Sequence, residues 1–357
     1  MCYKMTQNSD YSQIYLSQAK AAIAVLLGLI CIVMFLPSCV PVHEKNDIIM
    51  STNLNIKIYS WTSPQWKDIY AFARREAMLY DHRIAGSPLY KLNHEYQTLL
   101  PHKVLKVLNI ALFISRLSQG AFDPSILPVL QLWDFDHGGR LASVQEIEEK
   151  LTFVDYRLIN IDNDGRVTII PGMGLDLGGI AKGAVVDALA EYLEEQDFND
   201  FLIEAGGDII ISGKKSDESP WKIAIRQPRA PESSSKTNSQ GSFICIVELE
   251  GIPQKRAIVT SGDYERFFIA QTRRYHHILD PHTGYPAQSL VSVTVIADTC
   301  TMADGLSTAA FVLGWNKGLD FLENLPAVEG LLIRESASGL EAQMTSGFPV
   351  TEKDLDL

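Results

Sequence analysis

Strand-like and helix-like stretches follow one another along this chain without a regular strand–helix–strand beat, and that irregularity most limits its fold. Met50 to Tyr59 alternates through Leu54, Ile56 and Ile58, which predicts a strand. Pro64 to Tyr80 carries apolar residues at helical spacing, and Val104 to Leu117 does the same before Gly120 stops it. Ser143 and Glu146 form a capping-box pattern that opens a helix to Leu151. A hairpin is expected from Arg157–Ile161, the Asn163-Asp164-Gly165 turn and Val167–Ile170. At the centre a short strand, Leu175–Leu177, meets Gly178-Gly179 and a helix from Ile180 to Gln196. Strands follow at Phe201–Ala205, Ile209–Ile211, Trp221–Arg226, Phe243–Leu249, Ile258–Ile269, Tyr275–Leu279 and Leu290–Ala297. Ala230 to Ser242, rich in Ser, Pro and Gln, reads as a solvated insertion. A helix over Thr301–Leu313 and a late strand at Leu331–Arg334 complete an α+β pattern: mixed sheets with flanking helices.

The amino terminus carries an address. Lys4 and Lys20 precede an apolar run from Ala21 to Leu36, ended at once by Pro37, Ser38 and Cys39. The run is short for a membrane span, which takes about 20 residues, and suits a signal-peptide core. Leu36-Pro37-Ser38-Cys39 resembles a bacterial lipobox, in which Cys39 is lipidated and becomes the first residue. The expected organisation is a signal over 1–38, a linker over 39–47 and one domain over 48–357. An uncleaved anchor is the alternative, and either puts the domain on the extracytoplasmic face of a membrane. Only Cys245 and Cys300 then remain in the globular part, too few for a disulfide framework. A net charge of −12 argues against a nucleic-acid partner.

Several polar breaks carry chemistry. In Asp176-Leu177-Gly178-Gly179-Ile180-Ala181-Lys182-Gly183, glycines bring backbone close to a ligand and the helix start offers amides and a positive dipole end to an anion. A lysine in that first turn opposes the dipole, an effect that a bound phosphate reverses; the bland reading is a solvated lysine beside a glycine turn. Asp304 and Thr308 share a helix face and, with a glycine-turn carbonyl, suit a hard cation such as Mg²⁺. Alone, such a pair is commonly a helix-surface hydrogen bond. Asp280, at the end of His277-Ile278-Leu279-Asp280, is placed to cap its own turn. His276 and His277 point to opposite faces of a regular strand.

Taken in order, Ser87–Asn93, Gly120–Pro124, Asp176–Gly183, Ala205–Asp208, Thr260–Tyr264, His277–Gly284 and Ala303-Asp304 through Thr308 resemble the ApbE family of FAD:protein FMN transferases, often bacterial lipoproteins. The resemblance covers roughly Met50 to Gly347. It implies an ApbE-like fold with the active site in a cleft between two lobes. It implies FAD-contact positions at Met50, Asn93, Ala121, Phe122, Asp123, Asp176, Lys182, Thr260, Ser261 and His277, and Mg²⁺ ligands at Gly179 (by its carbonyl), Asp304 and Thr308. The implied reaction moves FMN from FAD to a threonine hydroxyl of a partner, a membrane redox-complex subunit or extracytoplasmic flavoprotein domain, and releases AMP. Lys182 adds positive charge, and His277 or Asp280 takes the hydroxyl proton. An FAD pyrophosphatase and a non-catalytic FAD-binding lipoprotein are the alternatives. The chain departs from the family at His282 (commonly arginine), Ala184 (a bulky aromatic) and Asp134 (glycine), and Asp81-His82-Arg83 stands where an aromatic usually precedes Ser87.

Overall fold

In the computed structural model, residues 40–230 and 243–350 are described, together with Lys20. The signal segment, Cys39 and most of the Ala230–Ser242 insertion lie outside the described residues. From the amino end the elements are β1 (Val42–Ile49), β2 (Thr52–Tyr59), α1 (Trp66–Tyr80), α2 (Pro88–Glu95), β3 (Gln97–Leu99), α3 (His102–Leu117), α4 (Leu127–Trp133) and α5 (Val144–Leu151). Then come β4 (Asn160–Ile161), β5 (Arg166–Thr168), α6 (Gly178–Glu195), β6 (Phe201–Ala205), β7 (Asp208–Gly213), β8 (Trp221–Arg226) and β9 (Phe243–Leu249). Last are β10 (Gly251–Gly262), β11 (Phe267–Ala270), β12 (Arg273–His276), β13 (Ser292–Ala297), α7 (Cys300–Leu313), α8 (Trp315–Glu323), β14 (Glu329–Ser336) and β15 (Gly339–Met344).

One eight-stranded sheet organises the molecule, in the order β1-β2-β6-β7-β10-β13-β14-β15, with every neighbouring pair antiparallel. Its central strands are apolar on both faces because both faces are covered. Ile203, Ile210, Val259, Val293 and Val295 pack with α6 and α7 on one side. Ile211, Ile258, Ile296 and Leu331 pack against the β8–β9 ribbon on the other. A smaller apolar cluster joins Val129 and Trp133 of α4, Ile147 of α5 and Leu279. The fold is α+β, as the irregular pattern predicts.

Local readings shift in instructive ways. Val42–Ile49, read mostly as linker, is the edge strand β1, paired with β2 by a two-residue turn in which Ile49 faces Thr52. Met50 and Ser51 therefore belong to that turn and not to a strand, with φ of 54° and 60°, as a type I′ hairpin requires. Leu175–Leu177 forms no strand, and Gly178-Gly179 is the first turn of α6 itself. Thr260 and Ser261 lie within β10. The predicted run Ile258–Ile269 breaks after Gly262, and β11–β12 pairs as a separate ribbon, so His277 follows the strand's end.

Candidate active site

The site is built where α6 and α7 meet over the sheet. Lys182, on α6, points between two carboxylates: its Nζ lies 2.6 Å from Asp208 Oδ1 and 3.7 Å from Asp304 Oδ1. Asp208 is fully buried at the start of β7, and its Oδ2 has no hydrogen-bond partner. Burial pushes the Asp208 pKa up, reinforced by Asp304 and opposed by Lys182. For Lys182, burial is outweighed by Asp208 and Asp304, so its pKa is raised and it stays charged. Lys182 is thus a half-buried counter-ion to the two aspartates and not a solvated lysine.

The three implied cation ligands are gathered by the same helix pair. A Cβ built on Gly179 would stand 3.3 Å from Thr308 Oγ1 and 3.1 Å from the Phe122 ring, so the α6 start, the α7 hydroxyl and this aromatic are neighbours. Asp304, buried on the same α7 face, accepts the Gly183 amide on Oδ2 at 3.1 Å. Between Asp304 and Thr308, Ser307 Oγ binds Ser261 Oγ at 2.8 Å, which ties β10 to the site. Thr260 Oγ1 is paired with Thr294 Oγ1 at 2.8 Å.

The start of α6 is more closed than its glycines imply. Asp176 Oδ1 takes the Gly178 amide at 2.6 Å, and Ile180 N donates to Leu177 O at 3.0 Å. A carboxylate therefore already stands at the dipole's positive end, narrowing the expected cradle of free amides. His82 Nδ1 lies 3.2 Å from Asp176 Oδ2. Burial opposes ionisation of Asp176, but His82 and the Gly178 amide hold its pKa below the usual value. Asn93 is spent on backbone, donating to Leu175 O at 2.8 Å and accepting Leu175 N at 2.7 Å. Asp123 likewise accepts Ser125 N at 2.8 Å and Tyr156 N at 2.9 Å. Both hold the segments beside the site in place rather than offering free polar atoms. Ala121 is buried, and Met50 is half-buried against the main core.

The two proton-transfer candidates separate. His277 Nδ1 donates to Arg266 O at 3.1 Å; a carbonyl only accepts, so the proton sits on Nδ1 and Nε2 carries the lone pair. Burial and the Arg266 charge push the His277 pKa down to about 3, which keeps the ring neutral. His276 is buried and binds Ala287 O at 2.7 Å. Asp280 caps its turn, accepting the His282 amide at 2.9 Å on Oδ1. The sequence reading gave no individual role to Asp208, His82, Arg266 or Gly183. A carboxylate directly after a Gly-Gly turn was the one signal for Asp208; the others are defined by their neighbours alone.

Two departures acquire reasons. Asp134 has φ 47° at the end of α4, a conformation that glycine adopts without strain. His282 Nδ1 lies 3.1 Å from Asp280 Oδ1, and its ring would stand 3.5 Å from a Cβ on Gly120, so it packs between the two loops.

Comparison with known proteins completes this picture. The ApbE family model matches residues 50–332. The FAD:protein FMN transferase of Haemophilus influenzae is 33% identical over 274 residues, covering 73% of this chain and 76% of that protein. That of Treponema pallidum is 29% identical and covers 85% and 89% respectively. The crystal structure of the ApbE protein from Thermotoga maritima superposes with a TM-score of 0.76 at 31% identity, covering 86% of this chain and 97% of that one. The flavin transferase ApbE from Vibrio cholerae superposes with a TM-score of 0.72 at 28% identity, over 86% and 99%. With the family model matched over residues 50–332, a relative 33% identical and a shared fold, this chain belongs to the ApbE family.

Proposed function

We propose that this protein is an FAD:protein FMN transferase that moves FMN from FAD to a threonine hydroxyl of a partner protein with the aid of Mg²⁺. Family membership supports the reaction class. The observation that supports the site is that Thr308 lies beside Gly179 while Asp304, one turn earlier on the same helix, stands beside Lys182 and the Gly183 amide. The donor set fits a hard cation: carboxylate, hydroxyl and carbonyl oxygens, with a buried Asp208 oxygen still unpartnered nearby. When bound, Mg²⁺ would offset the negative charge that develops on the transferring phosphoryl group.

The chain's own groups then have defined tasks. The threonine oxygen attacks the FMN-side phosphorus, the bond from that phosphorus to the AMP moiety breaks, and AMP leaves. Lys182 keeps positive charge beside Asp304, and Asp176 with Asn93 fixes the start of α6. His277, with its Nε2 lone pair free of the Arg266 contact, receives the hydroxyl proton. It is a weak base, which suits a loose phosphoryl-transfer transition state that asks little of one. Asp280 holds the turn that follows it.

Cys39, as lipid anchor, would hold the enzyme on the extracytoplasmic face of a bacterial membrane, within reach of a membrane redox-complex acceptor. The test is direct: FAD, Mg²⁺ and a flavin-acceptor domain should yield a fluorescent, covalently flavinylated band, and Asp304→Ala should abolish it. Release of free FMN at the same rate without acceptor would identify a pyrophosphatase instead.

A further inference from the structure

Helix α6 has glycine at 178, 179 and 183. The first two lie at its start, but Gly183 is in its interior, where no positive φ requires glycine. Packing does require it. A Cβ on Gly183 would stand 2.3 Å from the Cys300 carbonyl oxygen and 2.8 Å from the Thr301 amide nitrogen. Both are backbone atoms of the α7 start, so they cannot yield as a flexible side chain would. A second group holds the same seat: Asp187, one turn further along α6, accepts Cys300 N and Thr301 N at 2.8 Å each.

This approach has a consequence for the Gly183 amide. In an α-helix the amide of residue i donates to the carbonyl of residue i−4, so the natural acceptor for Gly183 is Gly179. That same amide also faces Asp304 Oδ2 at 3.1 Å. One N–H directed at two acceptors holds neither at full strength, and its partners here are two of the three groups assigned to the cation.

We propose that Gly183 is the positioning residue of the cation site: it steadies the Asp304 carboxylate with its amide and thereby leaves the Gly179 carbonyl available to a divalent ion. The inference rests on the Mg²⁺ reading above and deepens it. It makes the missing side chain at 183 a requirement of metal binding, since any Cβ lifts α7 and withdraws Asp304 from the amide.

A carbonyl-specific measurement tests it. In this sequence only Gly179-Ile180 and Gly251-Ile252 place isoleucine after glycine. Labelling with carbonyl-¹³C glycine and ¹⁵N isoleucine therefore yields two correlated resonances, with Gly251 as internal reference. With FAD present and no acceptor, Mg²⁺ should move the Gly179 carbonyl and leave Gly251 still. In Gly183→Ala the Mg²⁺ midpoint for that movement, and for the Mg²⁺-dependent rise in Tm, should increase at least about tenfold, as loss of a hydrogen bond to a charged group implies. Metal-free FAD affinity should stay within about twofold. Asp187→Asn should lower Tm but keep the Mg²⁺ midpoint within about threefold, because it spares the Gly183 amide.

The inference is overturned if Mg²⁺ raises the wild-type Tm without moving Gly179, if Gly183→Ala titrates like wild type, or if Asp187→Asn weakens Mg²⁺ as much. Should Gly183→Ala not fold, the wild-type carbonyl titration and Asp187→Asn still decide. A wild-type protein with no Mg²⁺ response at all removes the cation reading and this inference with it. Flavinylation that persists in that protein would leave the family activity standing.

Discussion

Replacing Asp187 by alanine removes the group that closes the start of α7. Its carboxylate accepts Cys300 N and Thr301 N, as well as the Thr301 hydroxyl. The remaining first-turn amide, Met302 N, goes to Thr299 Oγ1 at 3.2 Å, so the helix start is fully accounted for. Cys300 and Thr301 are buried, so water cannot replace the lost acceptor without opening the seat. Two buried amides without partners cost about 1–3 kcal/mol each. Against this, burial raises the Asp187 pKa, opposed by Thr301 and Cys300, so holding its charge in the fold carries a penalty that the alanine variant escapes. The net loss is about 2–3 kcal/mol, which for a fold of this size corresponds to a fall in Tm of about 3–5 °C. Calorimetry at neutral pH reads it directly, and Asp187→Asn, which keeps one acceptor oxygen, should recover part of the loss. A fall below about 2 °C for the alanine variant would refute the reasoning that this carboxylate anchors α7.

Other changes test other parts of the argument. Gly206 has φ +57° and a Cβ there would stand 2.2 Å from Thr52 Oγ1, so Gly206→Ala should cost about 1–3 kcal/mol by denaturation, with Thr52→Ala restoring only the steric share. Asp134→Gly should raise stability by up to about 1 kcal/mol by relieving its left-handed backbone; a lowered Tm would show that the Asp134–His137 contact matters instead. His277 is depressed to about 3, chiefly by burial, and His276 is lowered as well. The unfolded chain takes up these protons near the ordinary value of about 6.5 and the fold does not. These two histidines should therefore contribute a rise in Tm between about pH 3 and about 6.5 that levels off above, read as a flatter pH profile in His277→Gln than in wild type.

Much of this protein is legible in its residues because local rules suffice for it. The capping box at Ser143 forms as read, with Glu146 Oε2 accepting the Ser143 amide at 2.8 Å. The apolar alternation of Leu54, Ile56 and Ile58 gives a buried strand face, and Asp304 and Thr308 fall on one face of α7 from spacing alone. The order of the polar breaks was enough to identify the family, since turn chemistry and glycine positions are written one residue at a time.

Tertiary structure decided what those breaks do. Only packing could show that Asp208 and Asp304, about a hundred residues apart in sequence, share one ammonium, or that Asp176 already stands at the helix end expected to hold an anion. Asn93 and Asp123 look free in sequence and are consumed by backbone amides from distant segments. Gly183 reads as one more glycine in a run, yet its meaning lies in the backbone of another helix. The physical reason is common to all of them: burial, charge pairing and close approach belong to pairs of atoms from remote segments, and no periodicity along a single strand or helix encodes its partner.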